Sequence, residues 1–286
     1  MNDKTKSGAA EVAPVTVTAR TLIEGCFTAT GTAELRYVYD LAVQLGLPEQ
    51  TVRLAIRRME RAGELRQEGR GRAGQLVLSN RGASLMRTNA SLVAFAYAQD
   101  AGLSEWDGNW RLYLFNVPES KRAARDTLRS ALTQLGAAAL APGSYLTPHE
   151  LGDELAITVP ELLGDNLLTT ATLAGLSVPE CENDLAIAEK FWPAAPIAES
   201  YAELEDQLSK IDLKSLHDEI AVAAVALQLS QGLEHALLKD PLLPNELRAK
   251  PWLPVVVRAR FVEAWHQLRS MAPKAPIFIE HEKLDF

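Results

Sequence analysis

Cysteine is scarce in this chain. Cys26 and Cys181 are the only two in 286 residues and stand far apart, so neither a disulfide framework nor a zinc-ligand spacing can be built from them. Histidine is thin as well. His149, His217, His235, His266 and His281 are not paired at i+3 or i+4 with one another or with a cysteine, so no metal site is expected. No serine sits in a GxSxG frame, and the glycines form neither GxxxxGK[ST] nor a strand-GxGxxG-helix, which excludes the nucleophile elbow and the common nucleotide loops. No cofactor is expected. The first residues, MNDKTKSGAAEVAPVTVT, lack an apolar core of signal-peptide length, and no stretch reaches the roughly 18 to 20 apolar residues of a membrane span. A cytoplasmic protein without a membrane partner is expected.

Positive charge is also in deficit. Lys and Arg total 29 against 37 Asp and Glu, a net −8, which at first argues against nucleic acid. The distribution says otherwise. Between Glu49 and Arg87 there are nine Arg and four Glu, a local +5, while the remainder carries −13. At physiological salt, screening over about 8 Å confines that basic field to its own face.

The basic segment has structure in it. In Leu41 to Arg61, LAVQLGLPEQTVRLAIRRMER, Gly46 can take the left-handed backbone that ends one helix, and Pro48 suits the start of the next. Val52, Ala55, Ile56 and Met59 recur at i, i+3, i+4 and i+7 and form an inward stripe. Gln50, Arg53, Leu54, Arg57 and Arg61 then point outward, with Thr51 and Arg58 on the flank. A helix of this size fits the DNA major groove, where Arg and Gln contact base edges and phosphates. The plainer alternative is a surface helix with solvated arginines.

The segment after this helix favours DNA. Leu65 starts a strand, Glu68 to Gly74 (EGRGRAG) is a glycine-rich turn, and Gln75 to Leu78 returns. That is a hairpin with Arg70 and Arg72 at its tip. Two helices, a tight turn and an Arg-tipped hairpin, in this order, make a winged helix-turn-helix. Candidate DNA-binding residues are Gln50, Thr51, Arg53, Arg57, Arg58, Arg61, Arg70 and Arg72.

The expected organisation has five parts. Residues 1–18 read as a disordered tail, 19–87 as the winged helix-turn-helix domain, 88–107 as a linker helix, 108–180 as a ferredoxin-like α+β domain and 181–286 as a helical C-terminal domain for effector binding or dimerisation. The fold class is thus mainly α with α+β. Ala33 to Leu45 reads as one helix, and so does Ala83 to about Ala101. Trp110 to Val117 alternates as a strand, Pro118 to Leu135 is helical, Ala137 to Leu146 is strand-like, and Leu167 to Leu173 is a late strand. Leu185 to Trp192, Ile197 to Ile211, Leu213 to His235 and Val255 to Leu268 carry helical periods.

Four stretches together resemble the PaaX family of bacterial repressors of phenylacetic acid catabolism. They are LGLPEQTVRLAIRRMERAGEL, the Arg-Gly wing, WDGNWRLYLFNVPESKRAARDTLRSALTQLG with SYLTPHE after it, and DPLLPNELRAKPWLPVVVRARFVEAWHQL. The resemblance implies a homodimeric transcriptional repressor of an aromatic-compound operon. It would bind a double-stranded operator and be relieved by an aryl-acyl-CoA-like effector. The chain departs from the family pattern at Gln75-Leu76 and at Ala62 to Leu65, where aromatics are expected. An acyl-CoA offers phosphates and an apolar tail, so arginines beside aromatics are the place to look. Trp110, Arg111, Tyr113, Arg122, Arg125 and Arg129 are the candidate effector residues, with a solvated Arg face and core tryptophans as the alternative. Two rival functions stay open: a nucleic-acid-processing enzyme using the middle domain, with Asp107 and Asp126 as the acids, or a winged-helix protein-interaction module.

Overall fold

The computed structural model describes residues 16–280, apart from 161 and 163–166. Most of the expected N-terminal tail, and His281 with Glu282, lie outside the described residues. The end of that tail is packed. Val17 is buried, and the Thr18 hydroxyl accepts from the Thr21 amide to cap α1 (Ala19–Glu24).

Next come β1 (Thr32–Glu34), α2 (Leu35–Gln44), α3 (Glu49–Arg61), β2 (Leu65–Glu68) and β3 (Gln75–Leu78). The three strands form an antiparallel sheet in the order β1-β3-β2. Strand β1 corrects the reading of Ala33 to Leu45 as one helix. Thr32 to Glu34 pairs with Gln75 to Val77, which buries Ala33 at the sheet centre, and the helix starts only at Leu35. Three residues are too few for an alternation to show. Gly46 has φ +67°, the left-handed turn expected between α2 and α3.

Helix α4 (Asn80–Asp100) begins three residues earlier than the sequence suggests, because Ser79 caps it by accepting from the Gly82 amide. The Ser79 hydroxyl also donates to the carbonyls of Gly63 and Glu64. A Cβ on Gly82 would come within 2.2 Å of the Glu64 carbonyl oxygen, so only glycine lets α4 start against the hairpin root. Twenty-one residues of helix run about 30 Å. Its far end, Asp100, lies among the C-terminal helices.

The middle unit is β4 (Trp110–Phe115), α5 (Arg122–Gln134), β5 (Ala138–Ala141), β6 (Ser144–Thr147), α6 (Gly152–Thr158) and β7 (Leu168–Leu173). Its sheet is antiparallel in the order β5-β6-β4-β7. That strand order with a βαββαβ chain order is the ferredoxin-like arrangement. The single strand expected over Ala137 to Leu146 is a hairpin. Pro142 and Gly143, with Gly143 at φ +74°, turn the chain back on itself. One sheet face carries Tyr113 and Tyr145 against Leu128, Leu132 and Leu155 of α5 and α6. The other presents Trp110 and Leu146 to Ile187, Trp192, Leu243 and Trp252. Both faces are covered, which is why β4 is apolar at nearly every position.

The C-terminal helices are α7 (Asp184–Phe191), α8 (Ala194–Ser200), α9 (Ala202–Ser209), α10 (Glu219–Leu237), α11 (Leu253–Met271) and α12 (Pro276–Glu280). The helix expected from Ile197 to Ile211 breaks at Tyr201, a wholly buried residue whose hydroxyl is engaged inside the core. The one expected from Leu213 starts at Glu219, where Asp218 caps it. Helix α10 is apolar on most of its circumference and is, by length and composition, long enough to cross a membrane. It is the central core helix instead, packed against α1, α2, α9 and α11. The hydrophobic core therefore runs without interruption from Leu22, Leu35, Val52 and Ile56 to Leu227, Phe261 and Trp265. Gln231 adds a polar tie, accepting from the Thr18 amide and the Thr21 hydroxyl.

Candidate nucleic-acid interface

Helix α3 turns Val52, Ile56 and Met59 inward. The i, i+4, i+7 geometry then carries Gln50, Thr51, Arg53, Arg57, Arg58 and Arg61 to solvent, and all six are exposed. The hairpin brings Arg70 and Arg72 out on the loop between β2 and β3, also exposed. The Gln67 amide donates to Glu60 Oε1 at 2.8 Å, which ties the hairpin to the end of α3.

The arginines differ in their neighbours. Arg53 donates to Glu49 at 2.6 Å, one turn back, and Arg72 donates to Asp40 of α2 at 2.6 Å with its guanidinium over the Tyr39 ring at 5.8 Å. Hydrogen bonding to Tyr39, with the nearby Glu49 charge, holds Arg53 above its ordinary pKa. Arg61 donates only to the Arg57 carbonyl. Among the described residues, no carboxylate pairs with Arg57, Arg58, Arg61 or Arg70. Four guanidiniums are thus presented to solvent without a paired carboxylate among the described residues. Beside the hairpin lies an open cleft of about 500 Å³ lined by Glu34, Arg36, Glu68, Arg72 and Gln75.

Tyr39 and Asp40 were missed by sequence reasoning. Both lie on α2. The signal available was that α2 has to pack beside the hairpin, which brings the middle of the helix to Arg72.

The six candidate effector residues are not brought together. Trp110 is fully buried on the C-terminal side of the sheet, donates to Asp184 Oδ1 at 2.8 Å and stacks on Trp192 at 5.9 Å. Tyr113 is buried on the opposite face, where its hydroxyl accepts from the Leu151 amide at 2.7 Å and burial raises its pKa to about 12. Arg111 forms a bidentate pair with Asp107 at 2.6 and 2.7 Å, and hydrogen bonding to Arg111 holds Asp107 well below the usual carboxylate range. Arg122 is exposed and pairs with Glu119 and Asp126. Arg125 and Arg129 share a cavity. With Phe115, Asn116 and Tyr145 they line an open cleft of about 610 Å³ at the end of β4. There Arg125 donates to Glu119 at 3.0 Å, and Tyr145 holds Arg129 above its ordinary pKa. Sequence neighbours on a strand alternate between faces, and this separates Trp110 from Tyr113. Asp107 and Asp126, the two acids considered for metal chemistry, are each engaged by an arginine, and no cluster of three His, Cys, Asp or Glu forms among the described residues.

A second set of arginines is wholly internal. Arg258 forks onto Asp100 at 2.6 and 2.7 Å and reaches Asp240 at 2.7 Å, with Tyr201 hydrogen-bonded to it as well. Arg248 donates to Asp100 at 2.8 Å and to the Leu243 carbonyl at 2.6 Å. Burial opposes the charge on both. Asp100, Tyr201 and Asp240 outweigh it at Arg258, whose pKa ends above normal, whereas Arg248 shares only Asp100 closely and ends below. Arg258 lies one turn before Phe261 and Val262, inside an apolar stripe. That mismatch in the pattern was the readable sign of a buried ion pair.

Two family models match: the PaaX protein central Cas2-like domain over residues 103–180, and the PaaX-like protein C-terminal domain over residues 192–276. The chain belongs to the PaaX family. It is 26% identical over 250 residues to the transcriptional repressor PaaX of Escherichia coli strain K12, covering 83% of this chain and 74% of that one. Its fold resembles that of the uncharacterized protein Rv0674 from Mycobacterium tuberculosis, with a TM-score of 0.54, 21% identity, and coverage of 92% of this chain and 99% of that one. The two PaaX domain models stop short of the arginine face, which rests on its own geometry.

Proposed function

We propose that this chain is a DNA-binding transcriptional repressor and not an enzyme, with residues 19–87 acting as a winged helix-turn-helix. The observation that carries the reading is that Arg57, Arg58 and Arg61 on α3 and Arg70 at the hairpin tip are exposed with no carboxylate paired to them among the described residues, whereas Arg53 and Arg72 are paired. A duplex supplies those counter-charges, and Arg and Gln at this spacing fit base edges and phosphates. The PaaX relative, named as a transcriptional repressor, supports the same reading. We place the chain in the cytoplasm as a homodimer whose two heads engage half-sites about 34 Å, or a multiple of it, apart.

The operon it controls is one for aromatic-compound catabolism, and its effector is an aryl-acyl-CoA-like thioester. Of the expected effector residues, Arg125 and Arg129 keep that role, because they line a cleft with Phe115 and Tyr145 as aromatic walls. Trp110 and Tyr113 act as core, and Arg111 braces Asp107. Helix α4 is the mechanical link, because it starts against the hairpin root and ends in the Asp100 network.

The test is fluorescence anisotropy with the full chain, using a duplex of the gene's own upstream region and a scrambled duplex. A repressor binds the first at least 1,000-fold more tightly, as specific complexes typically do. Equal affinities for the two would discard the reading. For the effector, thermal shift with aryl-acyl-CoA thioesters is expected to show about 2.7 kcal/mol of stabilisation at 100 times the dissociation constant.

A further inference from the structure

Leu54 has a position that packing does not explain. It stands on α3 in line with Gln50, Arg57 and Arg61, at i−4, i+3 and i+7, on the face opposite Val52, Ile56 and Met59. It is 40% exposed and belongs to none of the hydrophobic cores, whereas the adjacent Ala55 packs against the N-terminal one. A single exposed leucine is ordinary on a protein surface. This one is the sole apolar side chain in the middle of the stripe that would enter the groove, flanked by side chains suited to base edges.

In the major groove the distinctive apolar group is the C5-methyl of thymine. We propose that Leu54 is a specificity-determining residue that reads a thymine methyl beside the bases contacted by Gln50 and Arg57. The proposal rests on the DNA-reading function above. Its chemistry is separable from the arginine contacts. Replacing thymine with uracil removes the methyl and leaves O4, the pairing and the phosphates unchanged. A contact with that methyl responds to the change, and the Leu54 variants separate it from an effect on the duplex itself.

The experiment selects preferred duplexes from a randomised pool with the full-length chain. Affinity is then measured as each thymine of the selected site is replaced in turn by deoxyuridine. At one thymine per half-site the substitution is expected to weaken the wild type about fourfold, the worth of one buried methyl group. Leu54→Ala should bind the thymine and uracil forms equally, and Leu54→Gln should do the same with full helix propensity retained. Two results overturn the proposal: indifference of the wild type at every thymine, or methyl sensitivity that survives both Leu54 variants, which would assign it to the Thr51 methyl. Failure to enrich any sequence removes the DNA-reading function as well, so the two failures are distinct.

Discussion

Arginine does opposite work at the two ends of this molecule. On α3 and the hairpin it is exposed, and among the described residues no carboxylate pairs with Arg57, Arg58 or Arg70. In the C-terminal helices Arg248 and Arg258 are almost completely buried, among Asp100, Asp240, Tyr201 and Gln99. An exposed guanidinium keeps its hydration and remains available to an external anion. A buried one is tolerable only because carboxylates and carbonyls replace the water it has lost. An exposed arginine adds little to stability, whereas a buried one cannot be removed without leaving bare charge behind. Helix α4 runs from the hairpin root, where Ser79 meets the Glu64 carbonyl, to Asp100 of the buried set.

The largest effect that would break this contrast is expected at Arg258. Arg258→Met leaves Asp240 and part of Asp100 buried without a partner and should lower stability by about 3 to 5 kcal/mol in urea unfolding. A loss below 1 kcal/mol would mean that the network is not desolvated. At the other pole, Arg57→Ala should change the unfolding free energy by no more than about 0.5 kcal/mol while weakening duplex binding by about 1 to 3 kcal/mol. If stability fell as far as binding did, the exposed set would be structural too.

The third prediction concerns the seam between the middle unit and the C-terminal helices. His149 lies there, with Nε2 3.0 Å from the Pro241 carbonyl oxygen and its ring edge-on to Phe95 at 5.6 Å. Burial, partly offset by the Pro241 carbonyl, depresses its pKa below the ordinary value of about 6.5. The fold favours the neutral ring, so its contribution is complete above about pH 6.5 and is lost as pH falls below that toward the depressed value. His149→Gln should flatten the slope of stability against pH in that window, as read from thermal unfolding. An unchanged slope would exclude the residue. The smallest effect is expected from Asp40→Asn, which frees Arg72. Stability should move by a few tenths of a kcal/mol, as for exposed pairs generally, and duplex affinity should rise slightly. A fall in affinity would mean that Asp40 holds Arg72 in its binding pose.

The two regions were also unequally readable. On α3 the hydrophobic period, Gly46 at the turn and the glycines of the hairpin are local signals, and the helix, turn and strands stand where the residues put them. The missing piece there was β1, three residues whose extended form is dictated by Gln75 to Val77 more than forty positions later. In the middle unit, Pro142-Gly143 is the turn signal inside the stretch expected as one strand, Ala137 to Leu146. The effector residues scattered because proximity along β4 was mistaken for proximity in space. Alternate residues of a strand face opposite cores. The buried network was hardest to see. Asp100, Asp240, Arg248 and Arg258 meet from four separate segments, and only the charge inside an apolar stripe at Arg258 hinted at it.

The most direct test of the outward arginine face is the salt dependence of duplex binding by the intact chain and by an Arg58→Ala, Arg70→Ala double variant. A protein held by phosphate contacts shows log affinity falling linearly with log salt, with a slope of about −0.9 per contact. The double variant should reduce that slope by up to about 2. A slope near zero for the wild type, or one unaltered in the variant, would contradict the account.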